Sequence, residues 1–236
     1  MSVASGSAQL PLALRFASDQ RFATFVSADV AVLPLLRRHA EAAQPGSVLI
    51  VGGRGSGKTH LAIATCAHAQ ARGLAVAYLP LASAAGRLRE ALQGLHDRAF
   101  IALDGIEATV GDQAAETALF DFHNRALDVG RSLLYTASAQ PDDLQLALPD
   151  LRSRLAQCQR IVLTSLDDAG RARMLQLRAQ QRGLQLDAAA IDWLLRRVGR
   201  DPANLSAVFD QIDQAALAAQ RRVTVPFLRD IFGAGD

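Results

Sequence analysis

The sequence predicts an α/β protein, a parallel sheet sandwiched by helices and followed by a small all-helical lobe. Three observations carry that expectation. Strand-like apolar runs recur at 48–51, 74–79, 100–103, 133–136 and 161–163, with helical periodicity between them, the alternation that builds a parallel sheet wrapped by helices. After Thr164 the strand pattern stops, and 168–182, 188–197 and 202–220 read as helices. A glycine-rich loop joins the first apolar run directly to a helix.

That first element follows a Pro45-Gly46 turn signal as Ser47-Val48-Leu49-Ile50-Val51 and runs into Gly52-Gly53-Arg54-Gly55-Ser56-Gly57-Lys58-Thr59. The pattern is G-x-x-x-x-G-K-T. Its glycines let successive backbone N–H groups converge on an anion, and the helix that follows, from His60 onward, adds the positive end of its dipole. Lys58 is then expected at the β- and γ-phosphates of a nucleotide, and the Thr59 hydroxyl on Mg²⁺. Composition agrees, because the chain has 25 Lys+Arg residues and Lys58 is the only lysine among them. A compact ammonium on a flexible stem does what a planar guanidinium cannot.

The third strand run, Phe100-Ile101-Ala102-Leu103, ends in Asp104, which puts a carboxylate at the crevice where open α/β sheets bind ligands. Asp104 is the expected second partner of Mg²⁺. Gly105 follows where many hydrolysing P-loop proteins carry a second acid. Glu107 is near in sequence but at a different offset, and a solvated loop residue is the plain reading for it. In the fourth run, Tyr135-Thr136-Ala137-Ser138 brings polar groups to the end of a buried strand.

In the helical lobe, Asp201 is the expected N-cap and Pro202 the first helical residue. Leu205, Val208, Phe209, Ile212, Ala216 and Ala219 share one apolar face, and Trp193, Leu194, Leu195 and Val198 form another piece of core. The expected divisions are a flexible tail at 1–17, an α/β nucleotide-binding domain at 18–165 and the helical lobe at 166–236.

With 236 residues, 50% hydrophobic and 20% charged, the chain can bury a real core. A net charge of +2 is too even for a free-standing basic patch that grips DNA. Cys66 and Cys158 lie far apart, without metal-ligand spacing, and suit a reducing compartment. The start MSVASGSAQL lacks a charged region ahead of an apolar one, and no window approaches the roughly 18 apolar residues of a membrane span. A cytoplasmic protein without membrane contact is expected.

The stretches GGRGSGKTHL, LDGIE, ALPDLRSRL, MLQLRAQQRGLQL and FDQIDQAALAAQRRVTVPFLRDIF, spread over nearly the whole chain, resemble the AAA+ ATPases of the DnaA clade, and within it the Hda family of regulatory inactivators of DnaA. The resemblance implies an AAA+ fold whose helical lobe is a lid. It implies ADP or ATP with Mg²⁺ as ligand, held by the loop from Gly52 to His60 and by Asp104, with Ser138 where the family has its sensor 1 acid. The sensor 2 arginine falls on Ala203, and Arg200, a turn earlier, is the available substitute. Arg154 matches the arginine finger, which acts in trans on a neighbour's nucleotide.

Near the N-terminus, Gln9-Leu10-Pro11-Leu12-Ala13-Leu14 resembles the family's sliding-clamp-binding peptide. Without that analogy the same run reads equally as a flexible segment able to fold onto an apolar groove or as an ordinary terminal strand. With the stop at Asp236, the separate helix-turn-helix domain of a DnaA initiator is not expected here. The implied function is negative control of replication initiation, with DnaA and the clamp as partners, DNA reached only through the clamp, and homo-oligomers possible. With Gly105, Ser138 and Ala203 at weakened positions, intrinsic hydrolysis is expected to be slow. A helicase loader of the same clade and a P-loop nucleoside kinase are the alternatives; the first leaves the tail peptide unexplained, and the second lacks an acceptor pocket.

Overall fold

The computed structural model describes residues 20–41, 45–197, 202–219 and 222–233. Five strands, β1 (Gly46–Gly52), β2 (Val76–Pro80), β3 (Phe100–Asp104), β4 (Ser132–Ala137) and β5 (Gln159–Leu163), form one sheet in the order β2-β3-β4-β1-β5. Every pairing is parallel, so each connection is a crossover that lays a helix on one face or the other.

Alternation along the strands supplies both faces. Leu49, Val51, Ile101, Leu103, Leu133, Tyr135 and Ala137 point to one side, where they pack with Leu119, Phe122 and Ala126 of α4 (Gln113–Asp128) and with Leu151 and Leu155 of α5 (Pro149–Gln157). Val48, Ile50, Phe100, Ala102 and Leu134 point to the other, against α1 (Val32–Ala40) and α2 (Lys58–Ala71). The central strand β1 is covered on both sides, hence its unbroken apolar run. The short α3 (Leu88–Gln93) contributes Leu88 and Leu92 to the α4 side.

All five predicted strand runs are strands. The second starts at Val76 instead of 74, because the end of α2 uses the residues in between: Gly73 takes φ +83, its N–H donates to Gln70 O at 2.9 Å, and Leu74 N–H donates to Ala69 O at 3.2 Å. Leu74 therefore closes a helix rather than opening a strand.

The lobe contains α6 (Asp168–Gln181), α7 (Ala188–Arg197), α8 (Pro202–Ala219) and α9 (Val225–Phe232). Leu205, Phe209, Ile212 and Ala216 are buried, as their spacing predicts, and Arg197 lies over the Trp193 ring at 5.2 Å. Two features exceed the sequence expectation. Residues 225–232 form a separate helix that buries Phe227 and Leu228, and a single parallel bridge joins Leu186 to Val223. Asp201 lies outside the described residues, as does the whole of the expected tail. Among the described residues no helix is long and apolar enough to cross a membrane.

Candidate functional site

The loop between β1 and α2 turns on two glycines. A Cβ at Gly52 would meet Ser56 Oγ at 2.5 Å and Leu163 at 3.1 Å, so a side chain there would displace the serine and crowd the end of β5. Gly57 is the N-cap of α2 at φ +94, and a Cβ there would come within 2.5 Å of Phe25 Cε2. Lys58, the first residue of α2, donates from Nζ to Gly52 O at 2.7 Å and to Gly53 O at 2.9 Å. The ammonium is thus held against the loop by two of the loop's own carbonyls. Ser56 Oγ is buried with no hydrogen-bond partner among the described residues, an acceptor or donor site turned into the loop.

Asp104 sits at the end of β3. Its Oδ2 accepts from Thr59 Oγ1 at 2.9 Å and from Tyr78 OH at 2.7 Å, and its Oδ1 accepts from Thr136 Oγ1. Thr136 Oγ1 in turn accepts from Gly105 N–H at 2.8 Å. Three hydroxyls from α2, β2 and β4 therefore fix one carboxylate beside the loop. Burial first, then the bond and charge of Asp104, push the Tyr78 hydroxyl far above its ordinary range and keep it a donor. The Cys66 thiol is likewise pushed up by burial and by Asp104, which leaves it inert. An ammonium, a hydroxyl paired with a carboxylate, and an unpartnered loop serine are the donor set that fits a Mg²⁺-bound polyphosphate.

A cleft opens from this loop. Its walls are Gly55 to His60, Thr24, Phe25 and Val26 from the segment before α1, and Leu166, Met174 and Arg178 from the lobe. His60 anchors one wall: its Nε2 is 3.0 Å from both Thr24 Oγ1 and Arg21 O, and its ring lies 5.3 Å from that of Phe25. Sequence reasoning did not find Phe25, Val26, Met174 or Arg178. The first two carry no motif, and the last two are ordinary positions on an amphipathic helix until α6 is docked. Tyr78 and Thr136 were also missed as partners of Asp104, although a fully buried threonine inside an apolar strand is a readable signal.

Other expected site residues fall elsewhere. Arg54 is exposed and does not line the cleft. Ser138 is exposed beyond the end of β4, and its N–H donates to Glu107 Oε2 at 3.1 Å. Glu107 is therefore not merely a solvated loop residue; it clasps the end of β4 to the turn after Asp104. Arg200 and the segment from Gln9 to Leu14 lie outside the described residues. Arg154 is on α5, whose buried residues Leu151 and Leu155 turn it outward; it is exposed, with Gln157 Oε1 at 3.5 Å from its Nη1.

Beneath α5, His123 of α4 stacks on Tyr135 with 22° between the rings and its Nδ1 3.0 Å from the hydroxyl. Burial, and secondarily the Arg154 charge, lower the imidazole to about 4. A depressed histidine pKa means that the unfolded chain binds the proton first as pH falls. Stability is then full above about pH 6.5 and declines toward pH 4, by up to about 1.4 kcal/mol per pH unit from this one group. His39 and His68, also lowered by burial first, add slope of the same sign. Denaturant melts at pH 7, 6 and 5 should show a shallower decline for His123→Gln than for the wild type; equal slopes would refute the assignment.

Residues 168–232 match the family model of the Hda lid domain. Among solved structures, the fold is similar to domain III of the replication initiation protein DnaA of Thermotoga maritima, at 16% identity and a TM-score of 0.78, covering 92% of this chain and 97% of that one. It is also similar to AMPPCP-bound DnaA of Aquifex aeolicus, at 19% identity and a TM-score of 0.71, covering 86% and 68%. A more distant likeness is the Holliday junction branch migration motor RuvB of Thermotoga maritima, at 16% identity and a TM-score of 0.64, covering 89% and 72%. These likenesses carry the fold, an AAA+ arrangement of a five-stranded parallel sheet followed by a helical lobe, and within that lobe residues 168–232 match the Hda lid domain.

Proposed function

We propose that this protein is a negative regulator of replication initiation that binds ADP or ATP with Mg²⁺, docks on the DNA-loaded sliding clamp and stimulates hydrolysis of the ATP held by DnaA. The Hda lid over 168–232 is the observation that carries this reading. In it, Lys58 and the loop N–H groups bind the phosphates, and Thr59 with Asp104 orients the metal, which neutralises phosphate charge when bound. Phe25, Val26, Leu166 and Met174 offer the apolar wall that a base would cover. Tail residues before 18 carry the clamp peptide, residues 18–165 the nucleotide domain, and 166–236 the lid. Gly105 and Ala203 bring no acid and no arginine to the positions where the resemblance expects them, so turnover in cis is slow and the outward Arg154 does the work on the partner.

The test is reconstitution. DnaA–ATP, DNA-loaded clamp and this protein are mixed and phosphate release is followed, beside a variant lacking the residues before Arg15. Wild type should accelerate release only with clamp present, and the shortened chain should lose clamp retention while keeping its nucleotide affinity, since chain termini tolerate truncation better than core elements. No acceleration by the wild type would refute the regulatory reading. A shortened chain that still holds the clamp would refute the tail assignment.

A further inference from the structure

Glu116 is a carboxylate in the interior, 0% exposed, in the first turn of α4. Its partners are all backbone N–H groups. Oε1 accepts from Gly111 at 2.9 Å and from Ala147 at 3.1 Å, and Oε2 accepts from Leu148 at 2.7 Å. A fully buried charge is costly unless its lone pairs are met, and three donors meet them here. The identity of those donors matters more than their number. Leu148 is the N-cap residue of α5 and has no side-chain oxygen to cap with, and Pro149 at the next position has no N–H at all. α5 carries Asp150 in its own first turn, but the N–H groups of Ala147 and Leu148 that lead into it are met by a carboxylate from another helix.

Gly111, held by the same oxygen as Ala147, lies just after the short turn Ile106–Thr109 that leaves Asp104. One side chain thus ties the start of α5 to the loop that descends from the phosphate site. Arg154 rides on α5, whose Leu151 and Leu155 fix which face is buried, with Leu148 and Cys158 at its two caps packed on the same core. Apolar contacts are non-directional; the hydrogen bonds to Glu116 add a directional hold on where the helix begins.

We infer that Glu116 is the positioning residue for Arg154: it sets the start and orientation of α5, and through them the reach of the arginine toward a partner's nucleotide. The inference rests on the regulatory reading for its consequence and on the hydrogen bonds alone for its cause. In Glu116→Gln the volume is kept, but one oxygen becomes an NH₂ facing N–H donors, so at least one of the three bonds is lost.

Hydrogen exchange should then show faster amide exchange at Ala147, Leu148 and along α5 in Glu116→Gln, with β1 unchanged. In the DnaA phosphate-release assay the variant should keep its nucleotide affinity and its half-saturating concentration, and lose at least fivefold in maximal stimulation. Added to Arg154→Ala, the substitution should lower the remaining stimulation no further, because it acts through the arginine that is already gone. Unchanged protection of α5 would overturn the inference, as would equal losses with and without Arg154, the mark of a general stability defect. A wild type that fails to stimulate refutes the regulatory reading alone, and the exchange measurement still decides whether Glu116 pins α5.

Discussion

Arg154→Ala is expected to remove nearly all stimulation of DnaA-bound ATP hydrolysis while leaving nucleotide and clamp binding intact. The separation follows from where the side chain is. Leu151 and Leu155 bury the inner face of α5, so the guanidinium faces solvent and its contact with Gln157, at 3.5 Å, is a long one between exposed groups. Truncation there removes no core packing and leaves no buried group unpaired, so the stability change should stay within about 0.5 kcal/mol. An arginine presented in trans to a transferring phosphoryl group is worth about 10³ to 10⁵ in rate, which sets the scale of the loss. Arg154→Lys keeps a charge but not the planar fork, and should recover only a small part. The assay follows phosphate release from DnaA–ATP with loaded clamp, at protein concentrations that saturate the wild type. Full stimulation by Arg154→Ala would show that another group supplies the charge; Arg152, half-buried on the same helix, is the first to examine.

The fold was legible because its signals are local and redundant. Each buried strand is a β-branched or apolar run, β1 runs into G-x-x-x-x-G-K-T, and the lobe's helices show three- and four-residue spacing. The glycine-rich loop after β1 and the carboxylate that ends β3 were legible for the same reason. Less of the wider site could be read. Tyr78 and Thr136 reach Asp104 only because β2, β3 and β4 are neighbours in register, a fact of topology that no window of sequence contains. Glu107 looked like a solvated loop acid because its partner, the Ser138 amide, lies 31 residues away. Glu116 passed unnoticed on a helix rich in polar residues, although it is fully buried. Met174 and Arg178 join the cleft through the docking of α6, and that placement is a tertiary property. Long-range hydrogen bonds and domain docking, not propensity, are what the linear pattern conceals.

Lys58→Ala is expected to weaken ADP and ATP binding at least tenfold, about 1.4 kcal/mol or more. Its ammonium already stands at the loop, drawn in by Gly52 O and Gly53 O at 2.7 and 2.9 Å, so a phosphate arriving in the cradle finds the cation in place without a search over rotamers. Removing it leaves the N–H groups and the α2 dipole, which account for the residual affinity. The Gly53 carbonyl is no stability problem, because Gly53 is exposed, and the loop conformation is set by glycines at Gly52, Gly55 and Gly57 instead of by the lysine; the circular dichroism control covers the bond that the buried Gly52 loses. Lys58→Arg separates charge from shape. The planar guanidinium carries the same charge but cannot fold its single head group between two carbonyls and a phosphate, and should bind nucleotide more weakly than the wild type. Calorimetric titration of both variants, with circular dichroism as the control for folding, decides the matter. Wild-type affinity in a folded Lys58→Ala would remove this loop from the nucleotide site and leave the cleft beside α6 without its phosphate end.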